Sequence, residues 1–260
     1  MTGDGIVIRR VETQAEYEEC VRIQDETWGA GFSERVPSAI LKVSQYLGGV
    51  TAAAFDGAAA DARILGFVFG MTGIRDGQLV HWSDMLAVRP EARDHGIGRR
   101  LKLYQRSLVA ELGVTQILWT FDPLVSRNAH LNLNALGARV TDYVPDMYGA
   151  DTGSALHQGI GTDRFVVAWE VGGEAGKRGS GDGRGEAGQR GSGAVRTGAE
   201  VLVEIPQDIQ QLIVADPAAA RKWRESTRPA FLRLLADGYR VAGFERSPAG
   251  GFYRLTRGND

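Results

Sequence analysis

The sequence predicts an α/β protein built on a mixed sheet, followed by a small second α/β segment. Three observations lead to this fold class. Strand-like alternation and helix-like periodicity succeed each other from Ile6 to Val171, and a Gly-x-Gly turn stands between a strand and a helix at residues 96–98. Glycine is concentrated in residues 172–198, which hold 11 of the 35 glycines and separate the two parts.

The N-terminal elements follow from periodicity and caps. Ile6–Glu12 alternates as a half-buried strand, and Thr13 with Glu16 has the capping-box spacing that starts a helix ending near Trp28. A second helix is expected over Pro37–Leu47 because two glycines follow it. The strands Val50–Phe55 and Arg63–Met71 form a hairpin around Asp56-Gly57, and Leu79–Val88 is the next strand.

The following elements alternate again between helix and strand. Gly98–Leu112 has an apolar stripe and ends at Gly113, so it predicts a helix. A strand at Thr115–Phe121, a helix before Gly137, and strands at Ala138–Val144 and Arg164–Val171 complete the order β-α-α-β-β-β-α-β-α-β-β. This order predicts a mixed sheet with helices on both faces.

The domains are predicted as 1–171, a flexible linker over 172–198, and a C-terminal β-α-β-β segment over 199–260. A twelve-residue repeat, GEAGKRGSGDGR then GEAGQRGSGAVR, fills most of the linker and offers little apolar surface to bury. The last segment reads as a strand at Glu200–Ile205, helices within Gln207–Asp237 and two strands around Ser247–Gly250. About 60 residues form a marginal core, so we expect it to pack on the first domain or on a partner subunit.

Composition excludes several functional classes. One cysteine among 260 residues excludes a disulfide framework and a cysteine-based zinc site, and it predicts a reducing, cytoplasmic location. A net charge of -2 gives no electrostatic signature of nucleic-acid binding. No apolar run approaches the roughly 20 residues of a membrane span. We therefore expect a soluble protein that binds neither nucleic acid nor membrane.

The turn at Gly96-Ile97-Gly98 is the segment that indicates chemistry. The first N–H groups of a helix lack partners within the helix, its dipole favours an anion, and glycines let the backbone approach a phosphate. Four basic residues nearby are expected to add positive charge: Arg93, Arg99, Arg100 and Lys102. The spacing matches neither a P-loop nor the dinucleotide fingerprint, since residue 101 is Leu.

Arg93-x-x-Gly96-x-Gly98, within LAVRPEARDHGIGRRL, resembles the pyrophosphate motif of the GNAT acyltransferase superfamily. The resemblance covers residues 6–171 and implies acetyl-CoA or another acyl-CoA as co-substrate, with no metal. It implies that the coenzyme A diphosphate binds the turn and that the pantetheine arm lies along the preceding strand, with an Asn nearby. The residues that it assigns to the cofactor are Leu86, Ala87, Val88, Arg93, Asp94, His95, Gly96, Ile97, Gly98, Arg99 and Asn128.

The resemblance implies direct attack of an amine on the thioester, with an oxyanion held by a backbone N–H near Leu86. Relatives carry a Tyr four residues before the Gly that follows the later helix, and here that position is Leu133. We take Tyr148 as the catalytic acid, with Tyr143 as the other candidate, and Asp84 as the catalytic base because it is two strand residues from Leu86. A rim aromatic and a strand-edge carboxylate are the structural alternatives.

Other side chains are weaker candidates. His81 and Glu26 are alternative bases, and His130 reads as a surface histidine. The family's acceptor pocket implies one wall at Trp28–Phe32 and another at Tyr148–Asp163, with Arg35 or Arg164 available to a carboxylate. Each of these has a plain structural alternative, in the core or in a surface salt bridge.

Three functions remain open on the sequence. The first is transfer of an acetyl or succinyl group to a small-molecule amine; the chain resembles a GNAT subgroup in which some members appear to acylate free amino acids. The second is a catalytically silent coenzyme A-binding sensor or scaffold. The third is recruitment of another protein by the C-terminal segment. A homodimer is left open.

Overall fold

The computed structural model describes residues 5–172, 195–197, 200–247 and 250–257. The predicted linker lies outside the described residues except for Gly172 and Val195–Thr197, and the latter form a short strand. The flexibility expected of residues 173–194 therefore stays a prediction.

The described residues contain eleven strands and six α-helices, in the predicted order except for a short strand at Val195–Thr197, which lies within the predicted linker. The strands are β1 Ile6–Arg10, β2 Val50–Asp56, β3 Ile64–Arg75, β4 Gln78–Val88, β5 Gln116–Phe121, β6 Arg139–Val144, β7 Arg164–Glu170, β8 Val195–Thr197, β9 Glu200–Ile205, β10 Tyr239–Ser247 and β11 Gly250–Arg257. The helices are α1 Gln14–Trp28, α2 Ser38–Tyr46, α3 Ile97–Ala110, α4 Ser126–Ala129, which continues as a π-helical turn over His130–Ala135, α5 Ile209–Ala215 and α6 Pro217–Ala236.

The main sheet is mixed, which confirms the predicted α/β fold class. Its seven strands lie in the order β1-β2-β3-β4-β5-β7-β6. The pairs β1–β2, β2–β3 and β3–β4 are antiparallel, whereas β4–β5 is parallel. A second, four-stranded antiparallel sheet has the order β10-β11-β9-β8.

The chain divides into two compact units. The first contains the described residues up to Thr120 together with 152–156 and 168–172. Its α1 starts with the predicted capping box, in which Thr13 Oγ1 accepts from the Glu16 N–H and Glu16 accepts from the Thr13 N–H. The apolar face of α1 then packs with β2, β3 and β4 in a core that includes Tyr17, Ile23 and Phe67.

The second unit contains residues 121–151 and 157–167 with the described C-terminal elements. This division differs from the predicted one, because residues that the sequence places in the first domain pack with α6 and β11. Phe165 contacts the rings of Phe231 and Tyr253 at centroid distances of 4.8 and 5.4 Å. Arg224 of α6 binds both carboxylate oxygens of Asp122, at 2.8 and 2.7 Å.

Candidate active site

The turn before α3 has a backbone conformation that favours glycine. Gly96, the residue before α3, has φ 70° and ψ 9°, in the left-handed region, and Asp94 has φ 64°. A Cβ at Gly96 would meet no atom within 4 Å. The conformation of the turn, and not crowding, therefore explains this glycine.

The same turn presents a row of unused backbone donors. Within the described part of the chain, the N–H groups of residues 94–98 donate to no acceptor, and the first hydrogen bond of the helix joins Arg100 N–H to Gly96 O at 3.0 Å. Asp94, His95 and Gly96 are exposed. Consecutive free N–H groups at a helix start, open to solvent, are what an anion such as a diphosphate requires.

Of the four basic residues predicted to add positive charge to the turn, only Arg93 and Arg99 remain beside it. Arg93 donates through Nε to Val88 O at 3.1 Å, and Arg99 is exposed at the first turn of α3. Arg100 instead donates to Ile6 O of β1 at 2.7 Å. The prediction for Lys102 is wrong, because this side chain points into the protein and is buried.

The strand that leads to the turn has a free edge. β4 pairs with β5 at three positions, the last being Trp82 with Leu118, and it then continues to Val88 without a β5 partner in the described residues. Leu86, Ala87 and Val88 pair only with β3 on the other side. Their unpaired edge can accept an extended ligand as an additional strand.

A bulge interrupts β4 just before these residues. Met85 pairs with Phe69 and Trp82 with Met71, so β4 has one more residue than β3 in this interval. Ser83 contacts a residue of α3, whereas Met85, two residues on, packs in the core with α1. Strict alternation of side chains between the two faces of the sheet therefore fails here. The sequence argument that places Asp84 and Leu86 on the same face no longer applies.

Asp84 itself is exposed at the bulge. It accepts a hydrogen bond from Trp82 Nε1 at 3.1 Å. The surrounding protein partly desolvates the carboxyl group and raises its pKa, although the Trp82 hydrogen bond acts in the opposite direction. This is a suitable setting for a base, and the role stays a prediction.

The two weaker base candidates are occupied by structural contacts. His81 is buried, and its ring nitrogens lie 2.9 Å from Thr72 Oγ1 and 3.0 Å from Gln105 Nε2. Burial, with a smaller contribution from the charge of Lys102, lowers the pKa of His81 to about 3. Glu26 binds Arg89 through both oxygens, each at 2.9 Å.

A buried polar group on α3 was not anticipated from the sequence. Lys102 donates to Ser83 Oγ at 2.7 Å, and its Nζ lies 3.9 Å from the centroid of the Trp119 ring. Burial lowers the pKa of Lys102 to about 7. The usable signal was its spacing, since Lys102, Gln105 and Val109 continue one face of the helix at helical intervals and all three are buried.

Tyr148 lies in the second unit, as do the other tyrosine and asparagine candidates. It is half-buried, its N–H donates to Thr162 Oγ1 at 3.0 Å, and the Arg164 guanidinium lies 5.3 Å from its ring centroid. The Tyr143 hydroxyl donates to Asp163, and burial together with that carboxylate raises the pKa of Tyr143. Asn128 is half-buried on α4, and its side-chain amide has no hydrogen-bond partner among the described residues.

The predicted pocket residues mostly make structural contacts. Trp28 and Phe32 stack at a centroid distance of 5.5 Å and pack against the core of the first unit. Arg35 pairs with Asp25, with both N–O distances at 3.2 Å. In the second unit, Arg164 donates to Asp163 O at 2.9 Å, and His130 is exposed.

Neither a metal cluster nor a membrane-spanning helix is present in the described residues. They contain no cluster of three or more His, Cys, Asp or Glu side chains able to hold a metal ion. None of the helices described is long and apolar enough to cross a membrane.

Comparison with solved structures gives the fold a name. The chain resembles YncA of Salmonella typhimurium, a proposed acetyltransferase solved with its cofactor acetyl-CoA; identity is 16%, coverage is 68% of this chain and 99% of that chain, and the TM-score is 0.50. The chain has the GNAT fold. A scan of protein-family models and a search of curated proteins each gave no match.

Two further GNAT-fold structures show similar likeness. One is a proposed GNAT-family acetyltransferase from Desulfovibrio desulfuricans, with 16% identity, coverage of 64% of this chain and 99% of that chain, and a TM-score of 0.49. The other is the ribosomal-protein-S18-alanine N-acetyltransferase of Escherichia coli, with 15% identity, coverage of 65% and 97%, and a TM-score of 0.48.

Proposed function

We propose that the protein is an acyl-CoA-dependent N-acyltransferase that moves an acetyl or succinyl group from coenzyme A to the amine of a small molecule. A free amino acid is the acceptor class that we propose first. The observation that carries the proposal is the row of five free N–H groups at residues 94–98, which stands directly after the unpaired edge of β4.

The two features fit the two parts of the co-substrate. The N–H groups of the turn, with Arg93 and Arg99 beside them, would bind the diphosphate. The free edge at Leu86, Ala87 and Val88 would hold the amide-containing arm through backbone hydrogen bonds, which depend little on side-chain identity. Asn128 is proposed as a further contact, since its amide has no partner in the described residues.

The chemistry then requires stabilisation of charge and movement of protons. A backbone N–H near Leu86 would stabilise the oxyanion that forms when an amine attacks a thioester. Tyr148 is the proposed acid for the departing thiolate, and Asp84 is the base that the sequence indicates. The single cysteine supports the proposed cytoplasmic location.

A thiol-release assay tests this function. The full chain is incubated with acetyl-CoA or succinyl-CoA and a panel of amino acids and polyamines, and free thiol is measured. We expect release that depends on one acceptor class and falls at least ten-fold in Tyr148→Phe, because a positioned acid contributes about 10²–10⁴-fold. Tyr46→Phe, an exposed tyrosine on α2, is the matched control and should keep full activity.

A coenzyme A-binding module without catalysis is the second candidate. It is favoured by Leu133 in the π-helical turn, where relatives place the catalytic tyrosine. Calorimetry separates the two candidates. Tight binding of coenzyme A with no thiol release from either donor would overturn the enzyme and support the module, whereas no binding would overturn both.

A further inference from the structure

Lys102 occupies the point where β4 and β5 separate. Trp82 and Leu118 form the last pair between these strands, so Ser83 and Trp119 are the first residues beyond it on each strand. Lys102 contacts both of them, through the 2.7 Å hydrogen bond to Ser83 Oγ and through the face of the Trp119 ring at 3.9 Å. Its amine therefore contacts the first residue of each strand beyond the last pair.

The surroundings of this amine are uncharged. No carboxylate pairs with Lys102 in the described residues, and its exposed fraction is 2%. Among the described groups with a resolved pKa shift, His81, from the same strand as Ser83, is the one whose ionisation the charge of Lys102 affects. Among the described residues, no charged group from β1, β2 and β3, against which α3 packs, or from β5 shifts the pKa of Lys102; β5 supplies the uncharged ring of Trp119. A buried, unpaired lysine favours the neutral amine, which can accept a proton.

The position relative to the phosphate turn indicates which proton is involved. The turn follows the C-terminal end of β4, so a ligand that extends from it along the strand reaches Leu86 before Ser83. This step rests on the proposed function. The order places the acyl end of the co-substrate near Ser83, together with the amine that attacks it. We propose that Ser83 and Lys102 form a proton relay that deprotonates the acceptor amine, in the role that the sequence indicates for Asp84.

The steps of the relay balance. The acceptor ammonium gives one N–H proton to Ser83 Oγ while the Ser83 hydroxyl proton passes to the neutral amine of Lys102. The freed amine forms the new C–N bond, the C–S bond breaks, and the thiolate takes the second proton lost by the nitrogen. Lys102 then returns its proton to solvent through Ser83. The net change is thioester and ammonium to amide, thiol and one released proton.

Activity and pH dependence test the relay with the same panel of donors and acceptors. We expect Ser83→Ala and Lys102→Met to lower kcat at least 30-fold and to remove an ionisation near pH 7 from the pH profile. Lys102→Arg keeps the charge but cannot accept a proton, so it should be as impaired as Lys102→Met. Ser83→Thr restores the hydroxyl and should recover most of the activity.

A matched control separates the relay from effects on folding. Ser44→Ala removes another buried serine hydroxyl of the first unit, which donates to Gly70 O at 2.8 Å, and should keep kcat and the pH profile. Each variant is taken as folded when its circular dichroism spectrum matches that of the wild type and its affinity for coenzyme A is within two-fold of the wild-type value.

A readout without catalysis is the titration of the lysine signals by NMR. The chain has four lysines, so the Lys102 signal is the one that disappears in Lys102→Met. We expect this signal to titrate near pH 7, and Ser83→Ala should shift its titration.

Several results would overturn the relay. Titration of Lys102 near the free-lysine pKa of 10.5 would do so, as would wild-type kcat in Ser83→Ala. Loss of activity in Asp84→Asn without loss in Ser83→Ala would return the role to Asp84. A wild-type chain that binds no coenzyme A and releases no thiol overturns the proposed function along with the relay, and calorimetry distinguishes that case.

Discussion

Single residues of this chain depart from what their type suggests, and Lys102 does so most clearly. A lysine after a phosphate-binding turn is expected to add charge to it, yet this one is buried against Ser83 and Trp119. The reason is helical geometry, because residue 102 lies close to the inward face that Leu101 and Gln105 define. The residue type predicts a positive charge, and the orientation of the helix determines where the side chain that carries it lies.

The cost of burying Lys102 gives a prediction for stability. Its pKa is about 7 in the folded protein against 10.5 for a free lysine, so unfolding takes up a proton between these pH values and folded-state stability rises with pH there. Lys102→Met removes that cost but leaves the Ser83 hydroxyl unpaired. We expect the variant to be more stable than the wild type by about 2 kcal/mol at pH 7, with the gain lost near pH 10.

Urea unfolding at pH 7 and pH 10 measures this difference. Lys42→Met, an exposed lysine on α2, should change stability by less than about 0.5 kcal/mol at both pH values. A Lys102→Met variant that is less stable than the wild type at pH 7 would contradict the cost assigned to the buried amine.

Elements were predictable where a local signal defines them. The capping box at Thr13, the glycines that follow α2 and α3, and the strand-turn-helix around Gly96 are all local, and each appears where the sequence predicts it. The bulge in β4 was not predictable, because it depends on the pairing with β3 across Gly70. A Cβ there would lie 2.3 Å from His81 Nε2, which shows how closely these strands and side chains approach.

The turn before α3 carries a prediction at this scale. Gly96→Asp places a carboxylate among the free N–H groups, so we expect coenzyme A affinity to fall more than ten-fold. Stability should fall by only about 1 kcal/mol, since the left-handed conformation disfavours a side chain but the Cβ has space. Calorimetry and urea unfolding measure the two quantities.

Gly113→Asp is the matched variant at the other end of the same helix. Gly113 also has a positive φ, 79°, and open space at its Cβ. It should lose similar stability and keep its affinity. Equal affinity in Gly96→Asp and Gly113→Asp would remove the turn from the binding site.

Across the whole molecule, the C-terminal segment completes a core and is not an appendage. Asp122 is held by Arg224, and Asp163 by Arg228 at 2.9 Å from Nε, with both arginines on α6. Burial alone would raise the pKa of Asp122, but the charges of Arg224 and Arg164 outweigh it and lower the pKa. The order of elements was readable from sequence, whereas contacts 102 residues apart, such as Asp122 with Arg224, were not.

Loss of these ion pairs should destabilise the protein strongly. Arg224→Met leaves a buried carboxylate without its partner, and we expect a loss of about 3–5 kcal/mol at pH 7. The pKa of Asp122 is lowered in the folded state, so the stability from this pair is present above the ordinary aspartate pKa and is lost as pH falls. The wild type should therefore approach the variant on acidification.

The control for this prediction is Arg254→Met, which removes a partly exposed pair with Glu200 on β9 and should cost less than about 1 kcal/mol. A chain ending at residue 172 should fail to fold, because it removes Arg224 and Arg228, the α6 partners of the buried carboxylates of Asp122 and Asp163. A stable, active 1–172 fragment would instead leave the C-terminal segment for recruitment of a partner.

The N–H groups of residues 94–98 are the proposed binding site for the diphosphate of coenzyme A. Amide NMR during titration with coenzyme A measures this binding directly. We expect the largest chemical-shift changes, and slower amide hydrogen exchange, at Gly96, Ile97 and Gly98. Binding that leaves these amides unshifted, or no binding at millimolar coenzyme A, would contradict it.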